Sequence, residues 1–427
     1  MQKTSSVAFM DSSYQAIVVG AGFAGVEAAR RLGKGGISTL LIDRNTYHQF
    51  QPLLYQVATA QLGVSDVARP IRSITHRIRG VRVLQADVTA IDAANRTVTT
   101  ADGDTFTAPA LVLALGAEAN FFNTPGAEEH TYPLYSVTDA IDLGARMVEL
   151  FEEAYRDGTS EFHAVVVGGG PTGVETAGAL AETVNSVVRK FYSNEFADRC
   201  TVHLVDMLPN LLNAFHEKNQ RYATKRLEQV GVELKFGSGV TEVTAEGVTL
   251  ADGTHIPSRL VVWGGGLKAG SVIGTAGLPQ GRGGRIDVNP DLTVPGFEGV
   301  YVIGDTANMT DARGDALPQL GSVAKQAGAW AARNIRADAQ GEQRLAFEYR
   351  DKGFMAMVGR GAAVAEIGRS RIRMQGFFAF LAWLAVHVLL LSGFWQKVRA
   401  VFTWFQDFLS HDRSQVFIGT GRRGLPD

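Results

Sequence analysis

The chain has 427 residues and a formal net charge of -2, and its 45% hydrophobic and 20% charged residues are those of a globular protein with material for two or three domains, which argues against disorder. So nearly neutral a chain offers no basic field to a polyanion, and it carries no zinc-finger, recognition-helix or aromatic-rich motif, so nucleic acid is not an expected partner. The single cysteine, Cys200, excludes both an internal disulfide and a redox-active dithiol.

The leader MQKTSSVAFMDSSYQ lacks the continuous apolar stretch of a secretory signal, so the body of the protein is expected to remain cytoplasmic. Ala16 to Val19 reads as a buried strand. It ends in Gly20-Ala21-Gly22-Phe23-Ala24-Gly25, which opens the helix-like VEAARRLGKGG, and a second strand from Ile37 to Ile42 ends at Asp43. VRVLQADVTAID and RTVTTADGDTF alternate like antiparallel strands, with turns at Ala93-Ala94-Asn95 and Asp102-Gly103. The opening pattern then recurs: Ala164 to Val167, Gly168-Gly169-Gly170-Pro171-Thr172-Gly173, the helix-like VETAGALAETV, and a strand around Val202 to Val205 ending at Asp206. VELKFGSGVTEVTAEGVTLADGTHI repeats the antiparallel pattern, so the order implies a duplication or a nested insertion. From Gly299 to about Gln340 a strand, YVIGD, precedes a helix, SVAKQAGAWAARNI.

A strand turning sharply into a helix leaves backbone N–H groups unpaired at the helix start, where they and the helix dipole attract a pyrophosphate. Gly20 permits the turn, Gly22 lets phosphates approach the backbone, and Gly25 brings helix and strand together, while Asp43 is placed for a ribose 2′-hydroxyl. Gly168, Gly170, Gly173 and Asp206 repeat this logic, and an acid at Asp206 favours NADH over NADPH by repelling a 2′-phosphate. Two complete units without a metal-ligand cluster mean two dinucleotides, one of which is sensibly a flavin that accepts hydride from the other.

Over nearly its whole length the chain resembles the type II NADH dehydrogenases, the single-subunit, non-pumping NADH:quinone oxidoreductases of the two-dinucleotide-binding flavoprotein superfamily. The resemblance is carried by GAGFAG, IDRNTYHQFQPLLYQVATA, VVVGGGPTGVETAGALAE, VVWGGGLKA, YVIGDTA and VAKQAG, with FQPLLYQVATA the most family-specific. It implies FAD in the first unit, at Gly20, Gly22, Gly25, Asp43, Gly116, Gly304 and Asp305, and NADH in the second, at Gly168, Gly170, Gly173 and Asp206. Glu175 matches a family glutamate near the junction of nicotinamide, flavin and quinone, where a desolvated carboxylate could relay a proton; its plainer reading is a first-turn glutamate favoured by the helix dipole. Gln326 matches a glutamine of the quinone-site segment, its alternative being a polar residue on an exposed helix face. Gly321-Ser322 and Leu115 depart from the residues many members carry there. The expected fold is α/β, two Rossmann-like dinucleotide-binding domains with the second inserted in the first: residues 1–115 and 286–345 for FAD, 116–285 for NADH, and a C-terminal helical membrane-attachment region at 346–427.

From Gly376 to Trp395 the chain is apolar enough to span a bilayer, lie in its interface or pack in a dimer contact. His387 in mid-run argues against spanning, and the adjoining KVRAVFTWFQDFL repeats Val398, Val401, Phe402, Phe405 and Phe408 at helical spacing. Lys397 and Arg399 are expected to meet anionic headgroups, and Trp383, Trp395 and Trp404 to settle at the water–lipid boundary. His387 reads as a packed or interfacial histidine in preference to a proton carrier. The family is monotopic, which implies peripheral attachment on the cytoplasmic face of the cell membrane, access for a membrane quinone (ubiquinone or menaquinone), and a homodimer built partly on the tail. The rivals are a sulfide:quinone or thioredoxin-type reductase, for which paired cysteines are missing, a ferredoxin or rubredoxin reductase, which needs no apolar tail, and an NADH-sensing flavoprotein of apoptosis-inducing-factor type, which would reduce quinone slowly.

Overall fold

The computed structural model describes residues 13–368 and 370–410; most of the leader, on which the cytoplasmic expectation rests, lies outside the described residues. The chain divides into two compact units that are each discontinuous in sequence. Residues 1–48, 69–118 and 267–350 form the first, and 49–68, 119–266 and 351–427 the second.

The first unit is built on a six-stranded sheet in the order Thr293–Val294, Phe297–Val302, Ala110–Leu113, Ala16–Val19, Thr39–Asp43, Val81–Gln85. Pairing is parallel except at the Thr293–Val294 edge, and Ala16 is level with both Thr39 and Ala110. AIVV and ALVL are buried along their whole length, as a parallel sheet covered on both faces requires. The helices Phe23–Lys34 and Gly321–Gln340 pack together, and Gly328 lets them close, since a Cβ there would collide with the Ala24 backbone. The predicted antiparallel strands form a small sheet of Val88–Asp92, Thr97–Thr100 and Thr105–Thr107.

The second unit repeats the plan. Its parallel sheet runs Tyr132–Pro133, Leu260–Trp263, Phe162–Val167, Cys200–Asp206, Val232–Phe236, accompanied by the helices Val137–Asp157, Pro171–Thr183 and Glu217–Gln229. A second antiparallel sheet, Val240–Thr244, Gly247–Leu250 and His255–Pro257, follows.

The division differs from the expected boundaries most at residues 267–285 and 49–68, each with a packing reason, and the tail differs in content. Ala269, Ile273, Ala276 and Leu278 enter the core of the first unit, so residues 267–285 group there and not with the second. Residues 49–68 group with the second unit because the helix Leu54–Ala58 packs on Val137–Asp157 and Pro171–Thr183. The region from 346 onward is not all helical. It first forms an antiparallel sheet of Gly353–Met357, Ala363–Ile367 and Ile372–Gln375, whose middle strand is buried, and only then the helices Gly376–Leu390 and Phe394–Ser410. The apolar run breaks at Leu391-Ser392-Gly393, where Gly393 takes φ 95°. The 15-residue helix before the break is about 22 Å long at ~1.5 Å per residue, against a bilayer core of about 30 Å. Among the described residues no helix is long and apolar enough to cross a membrane.

Candidate active site

In the first unit the strand Ala16–Val19 ends at Gly20, whose φ of 98° only glycine adopts readily, and a Cβ there would strike the carbonyl of Ala114. A Cβ on Gly25 would strike the carbonyl of Gly20, so this glycine lets the Phe23–Lys34 helix pack on the strand end. Gly22 differs from both. Its φ of -70° and ψ of -166° suit any residue, and a Cβ there would meet no protein atom within 4 Å. Nothing in the protein requires glycine at this helix N-cap, and the space beside its Cα holds no protein atom. Asp43, at the end of the adjacent strand, accepts from Ala21 N at 2.5 Å and from Asn45 N at 2.7 Å. Burial raises its pKa despite these donors. Each oxygen keeps a lone pair, and ribose hydroxyls donating to them would favour the charged form again.

Gly116 and Gly304 both take positive φ, 73° and 70°, and the Thr306 hydroxyl donates to Gly116 O at 3.1 Å. A Cβ on Gly304 would lie 3.1 Å from that of Ala24, which puts the Gly304–Thr306 turn, and Asp305 within it, beside the first glycine loop. The seven predicted residues Gly20, Gly22, Gly25, Asp43, Gly116, Gly304 and Asp305 thus gather at the strand ends of one sheet. The sequence reading missed His48. Its buried ring packs edge-on to Phe23 at 5.3 Å, and Nδ1 donates to Ala21 O at 2.9 Å, bracing the loop, while burial lowers its pKa and keeps it neutral.

The second unit repeats these contacts atom for atom. Gly168 has φ 109° against the carbonyl of Gly264, and a Cβ on Gly173 would strike the carbonyl of Gly168. Gly170 has an ordinary backbone and no atom within 4 Å of a Cβ. Asp206 accepts from Gly169 N and, at 2.6 Å, from Leu208 N, the counterparts of Ala21 and Asn45.

Glu175 lies in the first turns of the Pro171–Thr183 helix. Its Oε1 accepts from Met357 N at 3.0 Å and from the indole Nε1 of Trp383 at 3.3 Å, and Oε2 has no protein partner among the described residues. Among the described residues no cation is paired with it, and loss of hydration pushes its pKa up to about 8. A protonated carboxyl at neutral pH, with one oxygen held and one open, is equipped to give up a proton. Trp383 stacks on His387 with centroids 3.8 Å apart, and the buried imidazole is pushed down to about 4 and stays neutral. The packed reading of His387 therefore agrees with its surroundings.

Gln326 belongs to the first unit, and both ends of its amide are taken: Nε2 donates to Arg350 O at 3.1 Å and Oε1 accepts from Arg350 N at 3.0 Å. Ser322 shares a hydrogen bond with the Tyr349 hydroxyl at 3.0 Å, and a Cβ on Gly321 would sit 3.2 Å from the Phe23 ring.

The tail requires correction. Trp383 is fully buried and Trp404 donates to Gln56 at 2.7 Å, so of the three expected boundary tryptophans only Trp395 is exposed. Arg399 is tied to the buried carboxylate of Asp66 at 3.1 Å and to Ser65 O at 2.7 Å, and Lys397 donates to Leu389 O at 2.9 Å, so both cations are anchored to the protein by part of their donors. Val398, Val401, Phe402, Phe405 and Phe408 face outward, as their helical spacing suggested.

A family profile described as "Pyridine nucleotide-disulphide oxidoreductase" matches residues 14–328. The chain is 36% identical over 425 residues to the type II NADH:quinone oxidoreductase Ndh of Mycobacterium tuberculosis, covering 95% of this chain and 90% of that one. In fold it is similar to NDH2 of Plasmodium falciparum, solved in complex with NADH, with a TM-score of 0.85 at 19% identity over 96% of this chain and all of that one. It is also similar to the sulfide:quinone oxidoreductase of Aquifex aeolicus, with a TM-score of 0.74 at 16% identity over 91% of this chain and 92% of that one.

Proposed function

The chain belongs to the pyridine nucleotide-disulphide oxidoreductases and, within them, to the type II NADH:quinone oxidoreductases, and we infer from this that it is an FAD-dependent NADH:quinone oxidoreductase that pumps no protons. FAD, when bound, supplies the acceptor of hydride from NADH and the donor of two electrons to quinone. The observation that carries this reading is the pair of cradles, each with a glycine whose missing side chain opens space the protein leaves empty. Gly20, Gly22, Gly25, Gly116, Gly304, Asp43 and Asp305 would hold FAD, and Gly168, Gly170, Gly173 and Asp206 the NADH pyrophosphate and ribose. The sulfide chemistry of a protein of the same fold is not favoured: the lone Cys200 is half-buried and its thiol is pushed up to about 12 by burial, so it is inert.

Hydride carries two electrons and one proton, whereas forming a quinol takes two protons. Glu175, neutral at pH 7 and open at Oε2, is the group we assign to deliver a proton to the quinone oxygen. Gln326, with its amide engaged by Arg350, would reach a quinone carbonyl only by releasing that backbone.

The outward face of the two C-terminal helices supports attachment to a bilayer surface, from which ubiquinone or menaquinone would enter, and the side we propose is the cytoplasmic one. Phe378 and Leu389 are each 73% exposed and Phe394 70%, an apolar cost that burial in lipid removes. A homodimer would cover the same face. Flotation with lipid vesicles separates these: a protein that stays off vesicles and sediments as a dimer removes the membrane reading.

Stopped-flow absorbance tests the reaction itself. Flavin should bleach rapidly with NADH and far less readily with NADPH, then recover on addition of a short-chain quinone. Flavin that stays reduced in excess quinone would point to a sensor or a reductase of another acceptor.

A further inference from the structure

The surroundings of Glu175 form a closed circuit of side chains brought together from distant parts of the sequence. Trp383 donates to Oε1 of Glu175, and its ring meets that of Trp404 at 5.8 Å. Trp404 Nε1 donates to Gln56 Oε1 at 2.7 Å, and Gln56 Nε2 donates to the Tyr55 hydroxyl at 3.0 Å. The Tyr55 hydroxyl in turn donates to the sulfur of Met357 at 3.5 Å, and Met357 N returns to Oε1 of Glu175.

The direction of this circuit is fixed by chemistry. An indole N–H can only donate, so Trp404 dictates which end of the Gln56 amide it meets. The amide NH₂ must then face Tyr55, whose hydroxyl, having accepted, gives its own hydrogen to Met357. At the other side the indole of Trp383 can only donate, so Oε1 is filled by two donors and the carboxyl cannot turn over without breaking both bonds.

We propose that Trp383 and Gln56 are positioning residues for the reaction: the circuit they close locks the Glu175 carboxyl with Oε1 saturated, so that Oε2 alone exchanges a proton with the quinone. This rests on the role given to Glu175 above. The titratable groups that touch the residues holding the carboxyl are His387, stacked on Trp383 and neutral, and Tyr55, bonded to Met357; no cation among the described residues is paired with Glu175. Trp383→Phe keeps the stacked ring and removes one donor, and Gln56→Leu keeps the volume and cuts the circuit between Trp404 and Tyr55.

The experiment is an infrared titration of the carboxyl C=O band of the full-length FAD-loaded protein, the Glu175 band being the one absent from Glu175→Gln. Retained flavin and an unchanged rate of bleaching by NADH certify folding. In Trp383→Phe the band should move to higher frequency and its titration midpoint to higher pH, because a donor that favours the charged form is gone. Gln56→Leu leaves both Oε1 donors in place but frees the Trp404 ring that braces Trp383, so it should broaden the band as the Trp383 bond loosens, and both variants should slow reoxidation by quinone about tenfold with bleaching by NADH unaltered. A band of unchanged frequency, width and midpoint in both variants would overturn the positioning role. Quinone reoxidation that survives Glu175→Gln would instead remove the role of Glu175 itself, whatever the band does.

Discussion

The two glycine loops are the same structure built twice, yet the helix that leaves each one carries a glutamate with a different fate. Glu27 follows Gly22 at the spacing by which Glu175 follows Gly170. Three and four residues beyond Glu27 stand Arg30 and Arg31, which hold it in ion pairs of 2.9 and 2.6 Å. Three and four residues beyond Glu175 stand Gly178 and Ala179, and its donors among the described residues are a backbone amide and an indole, both neutral. The first environment keeps a structural charge. The second strips water from a carboxyl without supplying a cation, which raises its pKa. A shared loop geometry therefore specifies a dinucleotide cradle, and what the next turn of helix touches specifies whether an acid is available for chemistry.

Valine at the open glycine of each loop should break the comparison with the largest effects. Gly22→Val and Gly170→Val both have backbone angles that valine tolerates and room for its Cβ, so both proteins should fold. Gly22→Val should purify without its flavin and without activity. Gly170→Val should stay yellow but require at least about tenfold more NADH for half-saturation, since its branched side chain occupies the space of a pyrophosphate. Flavin content by absorbance and KM for NADH decide it. A Gly170→Val protein that loses flavin would reverse the assignment of the two cradles.

Glu175→Gln keeps the shape and removes the proton. Turnover with quinone should fall about a hundredfold, the usual weight of a positioned general acid, while bleaching by NADH is preserved. Wild-type reoxidation should decline above about pH 8 as the acid ionises, and this limb should vanish in the variant. Stability follows the same group. The folded pKa lies above the unfolded one, so the folded protein holds a proton that the unfolded chain releases, and stability is lost as pH climbs from about 4.5 to about 8. Glu175→Gln should flatten that slope in denaturant titrations, and an unchanged slope would mean that the carboxyl is charged in the native state.

The legible part of this molecule was the local part. Gly20, Gly22, Gly25 and Asp43, with their second-unit counterparts, declare themselves because strand, turn, helix and strand-end acid fall within one short stretch of chain. The circuit around Glu175 gave no such signal: Gln56 and Trp404 are 348 residues apart, and Tyr55 and Met357 are 302 apart. Hydropathy failed in the tail for a related reason. It ranks tryptophans by composition, but Trp383 and Trp404 each had a protein acceptor, Glu175 and Gln56, which let the first be buried and drew the second partly out of solvent. Arg399 likewise found Asp66. The sheet from Gly353 to Gln375 was absorbed into a helical tail because its strands are short and its glycine turn at Gly359-Arg360-Gly361 precedes a long apolar run.

Glu27→Gln has the smallest expected effect and sharpens the comparison most. The substitution breaks two ion pairs whose arginines are one-third and more than one-half exposed. Water screens such i,i+3 and i,i+4 pairs, and the freed guanidinium groups stay hydrated, so the cost is at most about 1 kcal/mol, a fall of a few degrees or less in Tm. Because the pairs lie on the helix flank and do not change the N–H groups of Gly22 and its neighbours, flavin content and the pH limb above about 8 should match wild type. If quinone turnover in Glu27→Gln fell as far as in Glu175→Gln, the glutamate of this motif would matter through the helix itself, and the distinction between a paired and an unpaired carboxyl would lose its force.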